Sequence, residues 1–222
     1  MNTKKGATRS TAVSPAAPWP AVLLIGPTGS GKTPLGNRME EIGPGGERHW
    51  HFDFGKEMRE AASDGAAGQH LTASEIDTVV ECLETGALLE HESFAIAQKL
   101  LAGFAARLRL GAGDRIVLNG LPRHRGQARP LAPLARVEHV LALECDAETA
   151  MARILANSGG DRHGRSDDAI AAVRRRLQIY SRRTSPLLDF YQQAGIPVAR
   201  LRVEKETTAD MLLSQAGFNQ KK

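Results

Sequence analysis

The chain has 222 residues, of which 41% are hydrophobic and 24% are charged, so it can bury one sizeable core and is not disordered throughout. Its formal charge of +4 comes from its two ends, because the charge becomes −1 when Lys4, Lys5, Arg9, Lys221 and Lys222 are set aside. The composition therefore gives no indication of a nucleic-acid surface, and no apolar run approaches the roughly 20 residues of a membrane span.

The first 20 residues are basic and rich in Ser, Thr, Ala and Pro, and they lack the apolar stretch of a secretory signal. We predict a disordered tail over residues 1–20, and an organelle transit peptide of similar composition is the alternative. The two cysteines, Cys82 and Cys145, lie far apart in sequence and outside any CxxC-like motif. They are interpreted as buried small residues of a protein from a reducing compartment, the cytoplasm.

A strand, a turn and a helix follow this tail. The apolar run at 21–25 is typical of a strand covered on both faces, and it leads directly into the sequence GPTGSGKT and a helical stretch. Further strands are predicted at 115–119, 137–144 and 197–203, and helices at 74–83, 91–110, 147–157 and from 167 to about 193. This alternation predicts an α/β domain over residues 21–219.

The segment 48–54 has the alternating pattern of another strand, with His49, His51 and Asp53 on one side. Two histidines and a carboxylate at this spacing could bind a metal, but nothing nearby in the sequence completes a ligand set, which favours an ordinary strand end. The helical stretches between 55 and 110 exceed what a simple crossover needs. Part of them is therefore expected to project as a helical subdomain.

The segment Gly26–Thr33 matches the phosphate-binding loop G-x-x-x-x-G-K-[ST], and it lies between a strand and a helix, as that motif requires. Its glycines allow successive backbone N–H groups to point at one anion, next to the positive end of a helix. Lys32 is expected to reach the β- and γ-phosphates, and the Thr33 hydroxyl to bind Mg²⁺. The loop residues predicted to bind ATP are Gly26, Gly29, Ser30, Gly31, Lys32 and Thr33.

A phosphate-binding loop predicts a nucleoside triphosphate but no particular reaction, and the arginines narrow the choice. Transfer between two phosphates requires cations that converge from several elements, and guanidinium groups suit this geometry. Five arginines stand in suitable predicted elements, namely Arg59, Arg123, Arg162, Arg165 and Arg176. Four others are interpreted as solvated surface groups, namely Arg174, Arg175, Arg182 and Arg183.

The chain resembles the adenylate kinases and their nucleoside monophosphate kinase relatives over about residues 21–213. The resemblance rests on GPTGSGKT, on GKEMREAA at 55–62, on NGLPRHRGQA at 119–128 and on the segment 164–191. It implies that Arg59 grips the acceptor phosphate and that Arg123 binds the phosphates. It also implies that Gly120 and Gln127 bind the acceptor, with Gln127 on its base.

The same resemblance assigns the remaining site residues. Arg165 and Arg176 correspond to a phosphate-clamping pair, which makes them catalytic together with Lys32 and Arg123. Arg153 falls where the family stacks a guanidinium on the donor adenine, and Leu88 helps to line the acceptor pocket. The segment at about 157–166 corresponds to a short lid without zinc, since it carries no cysteine, and its closure is expected to bring Arg162 over the phosphates.

The chain departs from the family pattern in three places, one of which is Asn157, where longer-lid relatives often carry another arginine. Asn119 replaces the acidic residue that follows the third strand, and it is expected to bind Mg²⁺ through water. Phe54-Gly55-Lys56 replaces Thr-Gly-Asp, so Phe54 is expected to stack on the acceptor base and Lys56 to add a cation near the acceptor phosphate.

The sequence therefore predicts a three-layer P-loop kinase fold with a central parallel sheet, a helical monophosphate-binding insertion at about 55–90 and a short lid. The expected reaction is transfer of a phosphoryl group from ATP, with Mg²⁺, to a nucleoside monophosphate such as AMP. The protein is expected to act as a monomer, without nucleic-acid or membrane partners. Two alternatives stay open, namely a kinase for a non-nucleotide small molecule and a catalytically weak nucleotide-binding regulatory module.

Overall fold

The computed structural model describes residues 17–63, 65–111, 113–160 and 170–218. Its strands are β1 (Trp19–Ile25), β2 (His49–Asp53), β3 (Arg115–Asn119), β4 (Ala135–Glu144) and β5 (Val198–Arg202). Its α-helices are α1 (Lys32–Ile42), α2 (Phe54–Ala62), α3 (Ala73–Thr85), α4 (Phe94–Leu108), α5 (Arg125–Leu131), α6 (Ala147–Leu155), α7 (Ile170–Ile179), α8 (Pro186–Gln193) and α9 (Ala209–Gln215).

The strands form one sheet in the order β2-β3-β1-β4-β5, and every pair of neighbours is parallel. β1 lies at its centre because its apolar residues can be buried on both faces. Leu23 packs into one hydrophobic cluster with α4 and α8, whereas Leu24 packs into the other with α1 and α9. The predicted three-layer architecture with a central parallel sheet is confirmed.

Most predicted element positions agree with the structure, and β3 has the predicted bounds. The predicted boundary of the tail is wrong, because β1 begins at Trp19, which is buried and donates its backbone N–H to the carbonyl of Leu134. The long predicted helix is also divided. α7 continues through a π-helical segment at Tyr180–Thr184 before Pro186 begins α8.

The crossover from β2 to β3 holds three α-helices, in agreement with the excess of helix expected there. α3 begins with a capping box between Thr72 and Glu75, packs against α2, buries Val79, and ends at Gly86 with a φ of 69°. This arrangement brings the end of α3 close to the carboxyl edge of the sheet, where ligands bind in open α/β sheets. In the described part of the chain, no helix is long and apolar enough to cross a membrane.

Candidate active site

A cavity of about 550 Å³ lies at the carboxyl edge of the sheet, and we call it the central cavity. Among the described residues, its walls come from the loop after β1, the start of α2, the end of α3 with the residues that follow, the loop after β3, α6 with the residues after it, and α7 with the π-helical segment that continues it. The charged residues among the described residues that line it are Lys32, Asp53, Arg59, Glu84, Arg123, Arg153, Arg175 and Arg176.

The phosphate-binding loop has the backbone that its glycines predict. Gly29 and Gly31 have φ values of 83° and 95°, and a Cβ at Gly29 would lie 2.6 Å from the carbonyl oxygen of Ala150. Gly26 is equally confined, since a Cβ there would lie 2.7 Å from Oγ of the fully buried Ser30. Lys32 begins α1 and donates to the carbonyl oxygens of Gly26 and Pro27 at 2.8 and 2.7 Å. Its ammonium group therefore lies against the phosphate-binding loop, where it is expected to bind the β- and γ-phosphates.

Three polar side chains meet beside this loop, at the ends of β2 and β3. Thr33 Oγ1 donates to Asp53 Oδ2 at 2.7 Å, and Asn119 Nδ2 donates to the same Asp53 oxygen at 2.9 Å. Asn119 Nδ2 also lies 3.1 Å from Thr33 Oγ1. The register of the sheet causes this meeting, because Asp53 and Asn119 are paired residues of neighbouring parallel strands.

The carboxyl group of Asp53 is ionised at neutral pH. Burial raises its pKa, but the hydrogen bonds from Thr33 and from the backbone N–H of Lys56 outweigh this effect, and the pKa lies below its ordinary value. The side chain also caps the N-terminus of α2 through Lys56 N. Sequence reasoning placed Asp53 on a strand and did not connect it with the phosphate-binding loop.

His51 lies in the protein interior behind these residues and contacts Asn119. Burial lowers its pKa to about 4, so the imidazole is neutral, and its Nδ1 lies 2.8 Å from Asn37 Oδ1. Its Nε2 lies 3.3 Å from Asn119 Nδ2, which fits an Nε2 that accepts from the amide. Among the described residues no cluster of three or more His, Cys, Asp or Glu side chains could hold a metal. The other histidine of β2, His49, has a backbone partner, since its Nδ1 lies 2.9 Å from the carbonyl oxygen of Glu47.

Three of the five arginines predicted to converge on the phosphates face the central cavity. Arg59 comes from α2, Arg123 from the loop after β3 and Arg176 from α7. Burial lowers the pKa of Arg123, Asp53 opposes this effect, and the charges of Arg176 and Arg59 lower the pKa further. Arginine stays protonated in spite of such shifts, so three positive charges converge here. Convergence of this kind favours a polyanionic ligand.

Gln127 does not line the cavity, contrary to its predicted place on the acceptor base. The side chain is fully buried, and both ends of its amide bind backbone groups. Its Oε1 accepts from Arg123 N at 2.6 Å, and its Nε2 donates to the carbonyl of Leu89 at 2.7 Å. Thr184 Oγ1 holds Arg123 from the other side, at 2.8 Å from its carbonyl oxygen. Gln127 therefore positions the backbone of Arg123.

The other predicted acceptor residues differ in how they relate to the cavity. Leu88 and Gly120 line it. Lys56 does not, because its side chain is 68% exposed on α2, and it lies 3.8 Å from Glu60. Phe54 contributes to the cavity wall but is only 2% exposed, with its ring packed in the core near Phe52. Stacking of Phe54 on a base, as predicted, does not agree with this burial.

Arg153 binds protein backbone through its guanidinium. Nε donates to the carbonyl of Gly29 at 3.1 Å, and Nη1 lies 2.8–3.0 Å from three carbonyl oxygens of the loop after β5, those of Glu204, Lys205 and Thr207. The residue is buried and lines the cavity beside Gly31. Its predicted contact with the donor adenine stays a prediction, since these bonds occupy the edges of the guanidinium and leave its planar faces undetermined.

Several other predictions concern residues around this site. Arg174 and Arg175 are both exposed, as predicted for surface groups, and Arg175 also lies at the wall of the cavity. Arg162, Arg165 and most of the predicted lid lie outside the described residues. The cysteines are half-buried rather than fully buried, and Cys82 lines the cavity.

The oxygen atoms beside the phosphate-binding loop suit Mg²⁺, the metal that the P-loop kinase fold implies. Mg²⁺ prefers oxygen ligands, and it is commonly held by one or two carboxylates together with water and substrate phosphates. The Thr33 hydroxyl and the Asp53 carboxylate supply such oxygens at the cavity.

Comparison with known proteins adds independent information. No protein-family model matches the chain. The chain is 32% identical over 184 residues to an adenylate kinase of Synechococcus sp. strain WH7803, in an alignment that covers 80% of this chain and 87% of the relative. An adenylate kinase of Xylella fastidiosa strain 9a5c is 31% identical over 186 residues, which cover 79% of this chain and 87% of the relative. One of Xanthomonas campestris pv. campestris strain B100 is 29% identical over 202 residues, which cover 88% of this chain and 96% of the relative.

Proposed function

This chain belongs to the adenylate kinase family, and on that premise we propose that it is a nucleotide phosphotransferase that transfers the terminal phosphoryl group of ATP to AMP. The observation that carries the proposal is the central cavity. It joins the phosphate-binding loop to guanidinium groups from α2, from the loop after β3 and from α7. A site that only hydrolyses or binds ATP has no need of cations from this many elements.

The residues of the cavity have distinct roles in this reaction. The backbone N–H groups of the phosphate-binding loop and Lys32 bind the β- and γ-phosphates of ATP. Arg123 and Arg176 stabilise the charge that spreads over the transferring group, and Arg59 holds the phosphate of the acceptor. When bound with ATP, Mg²⁺ neutralises further phosphate charge, and Thr33 would hold it with Asn119 through water. No covalent enzyme intermediate is needed, because positioning and electrostatic stabilisation account for catalysis of this type.

A non-nucleotide acceptor is the second candidate, and the placement of Gln127 and Phe54 favours it. Both were expected to contact a base, yet one is bound to backbone and the other is packed in the core. The lining of the cavity instead contains the end of α3 and the residues after it, including Glu84 and Leu88. These side chains suit a small ring with polar substituents, which an adenine or a hydroxylated metabolite would both provide.

A screen of acceptors tests the proposal. Purified full-length protein is incubated with ATP, Mg²⁺ and one of AMP, GMP, CMP, UMP or dTMP, and nucleoside diphosphate formation is measured. We expect rapid ADP formation with AMP, and Lys32→Ala is the inactive control. Transfer to a set of hydroxylated small metabolites is measured in parallel. Activity with those metabolites and with none of the monophosphates would establish the second candidate instead.

A further inference from the structure

The carboxylate of Asp53 occupies a position that the proposed function does not yet use. It stands at the end of β2 and lines the central cavity. Its Oδ2 accepts from both Thr33 and Asn119, at 2.7 and 2.9 Å. Of the two carboxylates among the described residues that line the cavity, Asp53 and Glu84, Asp53 is the one in contact with the phosphate-binding loop. The Mg²⁺ of P-loop enzymes is held by the loop Ser or Thr and by an aspartate.

Asn119 is oriented as a donor to this carboxylate. Its Nδ2 lies within 3.3 Å of three acceptors, namely Asp53 Oδ2, Thr33 Oγ1 and His51 Nε2. A flipped amide would place its oxygen against the carboxylate and against the lone pair of His51, which is unfavourable. The Asn119 amide therefore donates to the neutral His51 on one side and to the charged Asp53 on the other. An aspartate at position 119 would instead place two carboxylates side by side.

We propose that Asp53 supplies, from the end of β2, the negative charge that binds the Mg²⁺ of ATP, and that Asn119 is a positioning residue that holds this carboxylate. The family pattern places this negative charge at the end of β3. Here it comes from the neighbouring strand β2, because Asp53 is paired with Asn119 in the sheet. The proposal rests on the proposed function only in taking ATP with Mg²⁺ as the ligand. It does not depend on which acceptor is used.

A purely structural role for Asp53 is the alternative, because Oδ1 accepts from Lys56 N and caps α2. Capping does not require a charge, since asparagine caps helices about as well as aspartate. Asp146 provides a matched control. It caps α6 in the same way, by accepting from Thr149 N at 2.6 Å, and it is not among the residues that line the cavity.

The test compares nucleotide binding with and without metal, in the absence of any acceptor. The dissociation constant of a non-hydrolysable ATP analogue is measured by calorimetry with saturating Mg²⁺ and again in EDTA. The proteins are wild type, Asp53→Asn, Asp146→Asn and the double variant Asp53→Asn/Asn119→Asp, which moves the carboxylate to β3. Loss of a group that orients a metal typically lowers metal affinity by about 10- to 100-fold.

Asp53→Asn is expected to weaken binding of the magnesium complex about tenfold, while metal-free binding stays unchanged or becomes tighter, because a negative charge beside the triphosphate is removed. The double variant is expected to recover most of the magnesium effect, and Asp146→Asn to behave as wild type. Equal losses with and without metal would show a structural role and overturn the proposal. So would an Asp53→Asn protein with the wild-type ratio of the two constants, or a double variant without recovery. Failure of phosphoryl transfer to AMP, by contrast, would leave these binding results unaffected.

Discussion

The two sides of the central cavity differ in how firmly their side chains are fixed before any ligand binds. On the donor side, Lys32 is held by its own loop, Arg153 by four backbone carbonyls, and Thr33 by Asp53 and Asn119. On the acceptor side, the lining comes from α2, the end of α3 and the residues that follow, and Glu84 and Ala87 are exposed there. The hydrogen bonds therefore fix the polar side chains around the phosphate-binding loop, whereas part of the opposite lining is open to solvent.

Arg123 stands where the two sides meet, and its removal is expected to have the largest effect. Arg123→Ala takes away a guanidinium that faces the cavity while the fold stays intact, and arginines in this role are worth about 10³-fold or more in turnover. Arg125→Ala is the matched control, since Arg125 lies two residues further along and is exposed. Steady-state kinetics should show a large loss in kcat for the first variant only. Near-normal turnover of Arg123→Ala would remove it from the catalytic group.

Two cations of α2 test the acceptor side. Arg59 lines the cavity, whereas Lys56 is exposed outside it. Arg59→Ala is therefore expected to raise the KM for the acceptor by about 10- to 100-fold, the effect of losing a charged hydrogen bond to a phosphate, with little change in the KM for ATP. Lys56→Ala should change neither constant by more than about twofold, as is usual for an exposed surface group. A large acceptor effect from Lys56→Ala would restore its predicted role.

Substitution of Gly36 tests how tightly the residues beneath the phosphate-binding loop are packed. Gly36 lies in α1, and a Cβ at this position would overlap the imidazole of His51. Gly36→Ala is expected to lower the free energy of unfolding by about 1–3 kcal/mol through overpacking and to weaken ATP binding, because His51 supports Asn119. Gly113→Ala is the control, since no atom lies within 4 Å of a Cβ there. Thermal unfolding of both variants measures the difference, and equal stability would contradict the tight packing.

Substitution of Gln127 is expected to have the smallest of these effects. It distinguishes a residue that positions Arg123 from one that contacts the acceptor base. If Gln127 holds Arg123 in place, Gln127→Met should lower kcat by about tenfold for every acceptor alike, roughly the value of a lost buried hydrogen bond, and should leave the ranking of acceptors unchanged. Gln98→Met is a control on α4, where the amide makes only a long contact of 3.5 Å. A changed preference among nucleoside monophosphates would instead support direct contact between Gln127 and the base.

The same contrast explains what could be predicted from the sequence. The phosphate-binding loop is a local motif, so its residues and its place after a buried strand could be recognised directly. The parallel sheet and the bounds of β3 follow from short apolar runs. Asp53 was missed because its meeting with Asn119 depends on the pairing of two strands far apart in the chain. An aspartate at the end of a buried strand, beside the strand that ends in Asn119, was the signal available.

Gln127 and Phe54 show the opposite error. Their positions match or replace known motif residues, but whether a side chain faces a cavity depends on how its segment packs. Gln127 turns inward because backbone groups of Arg123 and Leu89 need partners there. Phe54 turns inward because an aromatic ring at the start of α2 can join the core beside Phe52. Such choices are made by tertiary contacts that the motif does not contain.

A crystal structure with a non-hydrolysable ATP analogue, Mg²⁺ and AMP would test the central claim most directly, namely that one cavity brings both nucleotides together around shared arginines. We expect the triphosphate in the loop of Gly26–Thr33, the AMP phosphate at Arg59, and Arg123 within hydrogen-bond distance of both phosphate groups. An acceptor seated outside the central cavity, or an Arg123 that contacts neither phosphate, would contradict the account.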